Sequence, residues 1–281
     1  MKNVSKIAMF LILGSLTFRA VSQNDYRWKD SCESSQMLAF RIPVPEGYRR
    51  VEVFSNSFGE WLRQLPLKPG TPKVMLYNGE PKHNQNAHYR VIDIDAGTRD
   101  LQQCADAVMR LKAEYHFACG EYDRIHFNFT SGDRADYTRY REGYRPQFSG
   151  NKVTWTKSAA PDASYRTFRK YMDLVFSYAG TFSLDKELTT VPEITQIQPG
   201  DVFIQGGFPG HAVIVVDVAE NIQDGSRIFL LAQSYMPAQE MHVLRNPENH
   251  ALSPWFLAEK GPLFTPEWNF PEGTLKRFGN K

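Results

Sequence analysis

At 281 residues the chain is longer than one small core requires and shorter than two large domains need. Hydrophobic residues make up 42% and charged residues 23%, a globular composition that excludes a disordered chain. With 33 basic against 31 acidic side chains the net charge is +2. That balance, with no basic run, gives nucleic acid no phosphate-binding surface.

The first 22 residues stand apart. Lys2 and Lys6 precede the apolar run "IAMFLILGSLTF", and "AVS" (Ala20 to Ser22) offers the small residues a signal peptidase reads. Cleavage is expected before Gln23, leaving one α+β domain over residues 23–281. The run is too short to span a membrane comfortably, so the mature protein is expected to be soluble and exported, to the periplasm or beyond. Lys2, Lys6 and Arg19 leave with the segment, so 30 basic residues face 31 acids and the mature charge is −1.

Three cysteines remain: Cys32, Cys104 and Cys119. In an oxidising compartment an odd number leaves at least one thiol free. In a helix over 101–118, Cys104 and Cys119 stand roughly 22 Å apart, too far to bridge. Either Cys32 and Cys119 pair and leave Cys104 free, or all three thiols are free.

Along the chain, alternation in "RRVEVFS" (49–55) predicts a strand and "SFGEWLRQLPLKP" (57–69) a short helix ended by prolines. "KVMLYNG" and "YRVIDID" read as two strands of a hairpin-like pair around the polar "GEPKHNQNAH". The helix over 101–118 is capped by Asp100 with Gln103 three residues on, and Gly120 ends it. Cys104, Val108, Leu111 and Tyr115 share one of its faces. "RIHFNFTS" (124–131) alternates as a strand, turning Ile125, Phe127 and Phe129 one way and His126, Asn128 and Thr130 the other. A second amphipathic helix covers about 162–179, with Tyr165, Phe168, Met172, Val175 and Phe176 as its buried stripe. Pro199-Gly200 suits a turn, followed by strands at Val202–Gln205 and His211–Val218 across a glycine-rich loop. "RIFLLAQSY" forms the next strand, and the last fifty residues are expected to wrap the surface. A cysteine-bearing helix followed by an antiparallel sheet makes an α+β architecture.

Thiol catalysis needs a thiolate, a base, and a polar group to orient that base. Cys104 sits in the first turn of its helix, where unpaired N–H groups favour negative charge. A lowered pKa and fast alkylation at mildly acid pH are therefore expected of it. His211 opens a strand after Gly-Phe-Pro-Gly, with its imidazole expected to be accessible. Gln233, on the next strand, reaches His211 if the hairpin is symmetric about Gln223, which pairs it with Val213. Centring on Asp224-Gly225 instead offers Ser234. His126 and Asn128 could line a pocket, and Arg141 and Arg145 could grip a substrate carboxylate by forked hydrogen bonds. No Cys-His spacing suits zinc, and no cofactor is indicated.

"GDVFIQGGFPGHAVIVVD" resembles the paired strands of NlpC-type and CHAP-type cysteine peptidases and amidases, where a strand headed by the catalytic histidine follows a Gly-Asp strand. That resemblance covers about residues 100–236. It implies a papain-like arrangement of a Cys-bearing helix packed on an antiparallel sheet, with insertions. It further implies Cys104 as nucleophile, His211 as base and Gln233 as orienter, acting on a peptide or peptidoglycan fragment. The 107 residues between Cys104 and His211, and "QQCADA" in place of a "DCSG"-like context, depart from the compact members. Over nearly the whole chain, "SFGEWLRQLPLKP", "DLQQCADAVMRLKAEY", "IHFNFTSG", "YREGYRP", "FPGHAVIVVD" and "LLAQSYMPAQ" resemble an uncharacterised family of exported bacterial proteins, domain of unknown function 4846, which implies no activity. Two functions follow as expectations: a papain-like cysteine hydrolase of extracytoplasmic amide bonds, or a catalytically silent envelope module using the same groove.

Overall fold

The computed structural model describes residues 26–29 and 31–279, so the segment expected to direct export lies outside the described residues. Its helices are α1 (Leu38–Arg41), α2 (Phe58–Arg63), α3 (Cys104–Ala118), α4 (Tyr137–Arg141), α5 (Tyr165–Tyr178) and α6 (Thr181–Glu187). The strands run β1 (Tyr48–Arg50), β2 (His88–Val91), β3 (His126–Asn128), β4 (Arg134–Asp136), β5 (Tyr144–Ser149), β6 (Lys152–Lys157), β7 (Thr189–Thr190) and β8 (Val202–Gln205). They continue as β9 (His211–Asn221), β10 (Arg227–Gln233), β11 (His242–Leu244), β12 (Phe256–Leu257), β13 (Leu263–Phe264), β14 (Asn269–Phe270) and β15 (Leu275–Arg277). Nine strands form one antiparallel sheet in the order β2-β11-β10-β9-β8-β15-β7, with β1 beside β9 and β12 beside β10. The expected α+β class with an antiparallel sheet is what the chain adopts.

β9 is central and reads "HAVIVVDVA" because both faces of the sheet are covered, which removes the polar alternation of a half-exposed strand. On one face Ala212, Ile214 and Val216 of β9 meet Ile228, Leu230 and Ala232 of β10 under α3 and α2. On the other, Val213 and Val215 join Phe229 and Leu231 beneath Ile197 and, from β14, Phe270. The β9–β10 pairing runs from Arg227↔Glu220 to Leu230↔Asp217, then shifts at a bulge and resumes at Leu231↔Val215 and Ala232↔Ile214. Val216 is the extra residue, so it and Asp217 both face the helices. There the Asp217 carboxylate accepts from Arg50 Nε at 2.6 Å and from Arg63 Nε at 2.5 Å, tying β1 and α2 to the sheet.

α3 is an interior helix. Of its 15 residues, 13 are buried, so it has no solvent face and the expected single stripe is too narrow a description. It begins at Cys104 rather than at 101. The Asp100 carboxylate accepts from Ala238 N–H at 2.6 Å and from Gln103 Nε2, and Asp106 Oδ2 takes the capping role on the Gln103 N–H at 3.0 Å. α5 starts one residue after Ser164, whose hydroxyl accepts from Thr167 N–H, and it buries Phe168, Met172, Val175 and Phe176 as expected.

Three expectations are corrected. The strand at 49–55 is only β1, because beyond Arg50 the chain turns away to begin α2. The pair around "GEPKHNQNAH" is no hairpin: the Gln85 amide bonds the Val74 N–H and carbonyl, competing with a ladder. β2 pairs with β11 instead, and Met75 and Leu76 make isolated bridges. The C-terminal segment does more than wrap the surface, since β11, β12 and β15 complete the sheet.

Candidate active site

β8 ends at Gln205, β10 ends at Gln233 and β9 begins at His211, all at one end of the sheet. Near the hairpin the register is one residue away from symmetry about Gln223, and the Val216 bulge restores that symmetry toward the site. The result is the register symmetric about Gln223: His211 and Gln233 share a face, with Nε2 of His211 2.9 Å from Oε1 of Gln233. Ser234 points elsewhere. Its hydroxyl lies 3.0 Å from the Gln102 carbonyl oxygen and 2.8 Å from that of Gln239, joining the end of β10 to the chain just before α3.

The Gln233 amide is itself oriented. Its Nε2 donates to Glu267 Oε2 at 2.8 Å, so Oε1 must face His211, and His211 in turn donates through Nε2–H. The lone pair is left on Nδ1. Glu267 forms an ion pair with Lys82, and both side chains are largely buried. The His211 ring packs against Tyr235, Trp268 and Phe270 at centroid separations of 4.9, 5.3 and 5.8 Å. Burial lowers the His211 pKa to about 4 against the raising effect of the Gln233 bond, and Lys82 adds to the lowering. This is a neutral imidazole at neutral pH.

Cys104 is the first residue of α3, and its side chain is buried. The N–H groups of Ala212, Ala105 and Cys104 itself are directed at the sulfur and favour the thiolate. Burial outweighs them and, with Asp106, pushes the thiol up to about 11. The expected acidic thiolate is therefore corrected: a helix start favours negative charge, but desolvation at this depth opposes it more strongly. Asp106 is itself driven upward by burial, and its Oδ1 has no partner. Cys32, Cys104 and Cys119 are all free thiols.

Cys104 and His211 line one cleft of about 840 Å³, together with Asp106, Tyr235, Trp268 and the Gly207–Gly210 loop. Among the described residues, no hydrogen bond joins the thiol to the His211 ring, whose partner is Gln233. The arrangement offers a protonated nucleophile and a neutral base with a fixed tautomer, opening on shared space.

The other four candidates lie outside this cleft. His126 and Asn128 sit on the β3–β4 hairpin, where the Asn128 N–H donates to Glu187 Oε1 at 2.7 Å. Arg141 stacks on Tyr122 at 4.4 Å. Arg145 donates to the Tyr140 and Tyr144 carbonyls and stacks on Tyr140 at 3.8 Å, so its guanidinium is spent on the protein. Tyr235, Trp268, Glu267 and Lys82 escape sequence reasoning. Lys82 and Glu267 are 185 residues apart in the chain, and neither lies in a pattern that marks it.

A second cleft, of about 460 Å³ among Phe203, Phe229, Phe256 and Leu275, is lined by no cysteine, histidine or serine among the described residues. Among the described residues no group of three or more His, Cys, Asp or Glu could hold a metal ion, and no helix is long and apolar enough to cross a membrane. The family described as "Domain of unknown function (4846)" matches residues 38–277. No curated protein and no solved structure matches the chain.

Proposed function

Since the chain belongs to the domain of unknown function 4846 family, whose description assigns no chemistry, we propose from the cleft itself that it is a papain-like cysteine hydrolase cleaving amide bonds of an extracytoplasmic peptide. One observation carries this reading: Cys104 and a His211 held by Gln233 line the same cleft.

The chemistry begins from the neutral pair. As sulfur attacks the scissile carbonyl, the thiol proton passes to His211 Nδ1, and Gln233 Oε1 accepts from the imidazolium through Nε2–H. The developing oxyanion is held by the N–H groups of Cys104 and Ala105 at the start of α3, which have no partner within the helix. The imidazolium then protonates the leaving amine as the C–N bond breaks, giving a thioester. Water, deprotonated by the same ring, releases the acid and restores the thiol. The raised thiol pKa makes base assistance essential.

The buried, protonated thiol also favours a second reading, a catalytically silent envelope module. A peptidyl acyloxymethyl ketone separates the two. Covalent mass gain at Cys104, lost in His211→Ala, is expected of the hydrolase; no gain in the native protein would leave the silent module. Export belongs to the same proposal and rests on residues 1–22. Material recovered outside the cytoplasm should begin at Gln23, and an intact Met1 there would refute it.

A further inference from the structure

The cleft that holds Cys104 and His211 is walled by Leu101, Phe176, Phe182, Phe208, Met236 and Trp268. Three of these are exposed to a degree unusual for their type: Phe208 at 100%, Met236 at 56% and Phe182 at 44%. Exposed apolar side chains converging on one concavity mark a surface that is covered when it works.

The charges around the cleft point the same way. Among the described residues no lysine or arginine lines it, and its ionisable acids are Asp100 and Asp106. Asp100 is occupied by the Ala238 N–H and the Gln103 amide, and Asp106 is buried beneath the first turn of α3. Lys82, behind His211, is committed to Glu267, and Lys186 stacks on the Phe182 ring at 3.7 Å without lining the cleft. A substrate carboxylate entering here would shed water without gaining a cationic partner. An aromatic side chain would bury apolar area and meet Phe182, Phe208 and Trp268 edge to face.

We infer that the substrate carries a bulky, uncharged side chain, aromatic by preference, beside its scissile amide, and that carboxylate-rich stem peptides of a cell wall are not what this cleft takes. The inference rests on the hydrolase reading and specifies its substrate. Phe208 and Met236 are then specificity-determining residues.

The test uses the full chain and four acyloxymethyl ketones, built on phenylalanine, glutamate, lysine and an octanoyl chain, with the rate of mass gain at Cys104 as readout. The phenylalanyl probe is expected to label at least about tenfold faster than the glutamyl and lysyl probes, the discrimination an apolar pocket can supply. Phe208→Ser and Met236→Ser, at exposed side chains whose loss spares the core, should each slow phenylalanyl labelling about threefold to tenfold. Both should leave alkylation by iodoacetamide unchanged. Equal phenylalanyl and glutamyl rates overturn the inference while the hydrolase survives, and so does a faster octanoyl rate, which would name a lipid chain instead. Labelling by none of the four removes both readings.

Discussion

Cys104 reacts only once its proton is gone, and the surroundings of the sulfur set when that happens. Because burial holds the thiol near 11, its iodoacetamide alkylation should be slow at pH 7 and keep rising through pH 9. Peptide mapping after timed exposure gives the rate, and a plateau reached below pH 8 would contradict the assignment. Gln233→Leu removes the acceptor of His211 and the donor to Glu267 at one stroke. On the proposed hydrolase reading, with the tautomer no longer fixed, kcat/KM for amide hydrolysis should fall about 10²- to 10⁴-fold, while binding of an uncleaved product peptide stays within about twofold. His211 could be found from sequence because a strand start behind Gly-Phe-Pro-Gly is a local signal. Glu267 and Lys82 could not, since their meeting depends on the C-terminal segment crossing back to the sheet.

Between elements, the junction of α6 with the β3–β4 hairpin holds a poised carboxyl. Glu187 accepts from the Asn128 N–H, and burial raises its pKa to about 7. A carboxyl raised in the folded state adds stability at low pH and loses it as pH climbs from the unfolded value through about 7. Glu187→Gln keeps an acceptor and removes the charge. It should stabilise the protein at pH 8 by on the order of 1–2 kcal/mol and leave it unchanged at pH 5. Urea midpoints at the two pH values provide the check, with an equal shift at both as the contrary result. Helix starts were less legible than helix bodies here. Asp100 and Asp106 both suit a cap, and only the competing claim of the Ala238 N–H on Asp100 decides between them.

For the molecule as a whole, the two-sided core was legible in the unbroken apolar run of β9, while the identity of the second cover was not, because β14 is two residues long and carries no periodicity. The double cover buries histidines as well as aliphatics. Burial lowers His116 to about 4, with Lys112 lowering it further and Glu121 opposing. A base depressed in the folded state contributes stability that is present above its unfolded pKa and lost as pH falls toward the folded value. His116→Gln should therefore match the wild type at pH 7.5 and exceed it at pH 4.5 by on the order of 1–2 kcal/mol. Thermal midpoints at both pH values measure this, and parallel curves would refute it.

The bulge at Val216 has a consequence in parity. His211 and Asp217 are six residues apart, an even number, and an unbroken strand would aim them at the same side. One supernumerary residue aims the carboxylate at Arg50 and Arg63 and the imidazole at Gln233. A chain lacking Val216 faces an exclusive choice, to keep the anchor of its N-terminal elements or to keep His211 beside Gln233. The deletion should abolish the proposed Cys104 chemistry or loosen β1 and α2. Amide exchange at Val51 alongside amide hydrolysis would show which was surrendered, and retention of both would mean that the odd residue carries no such burden.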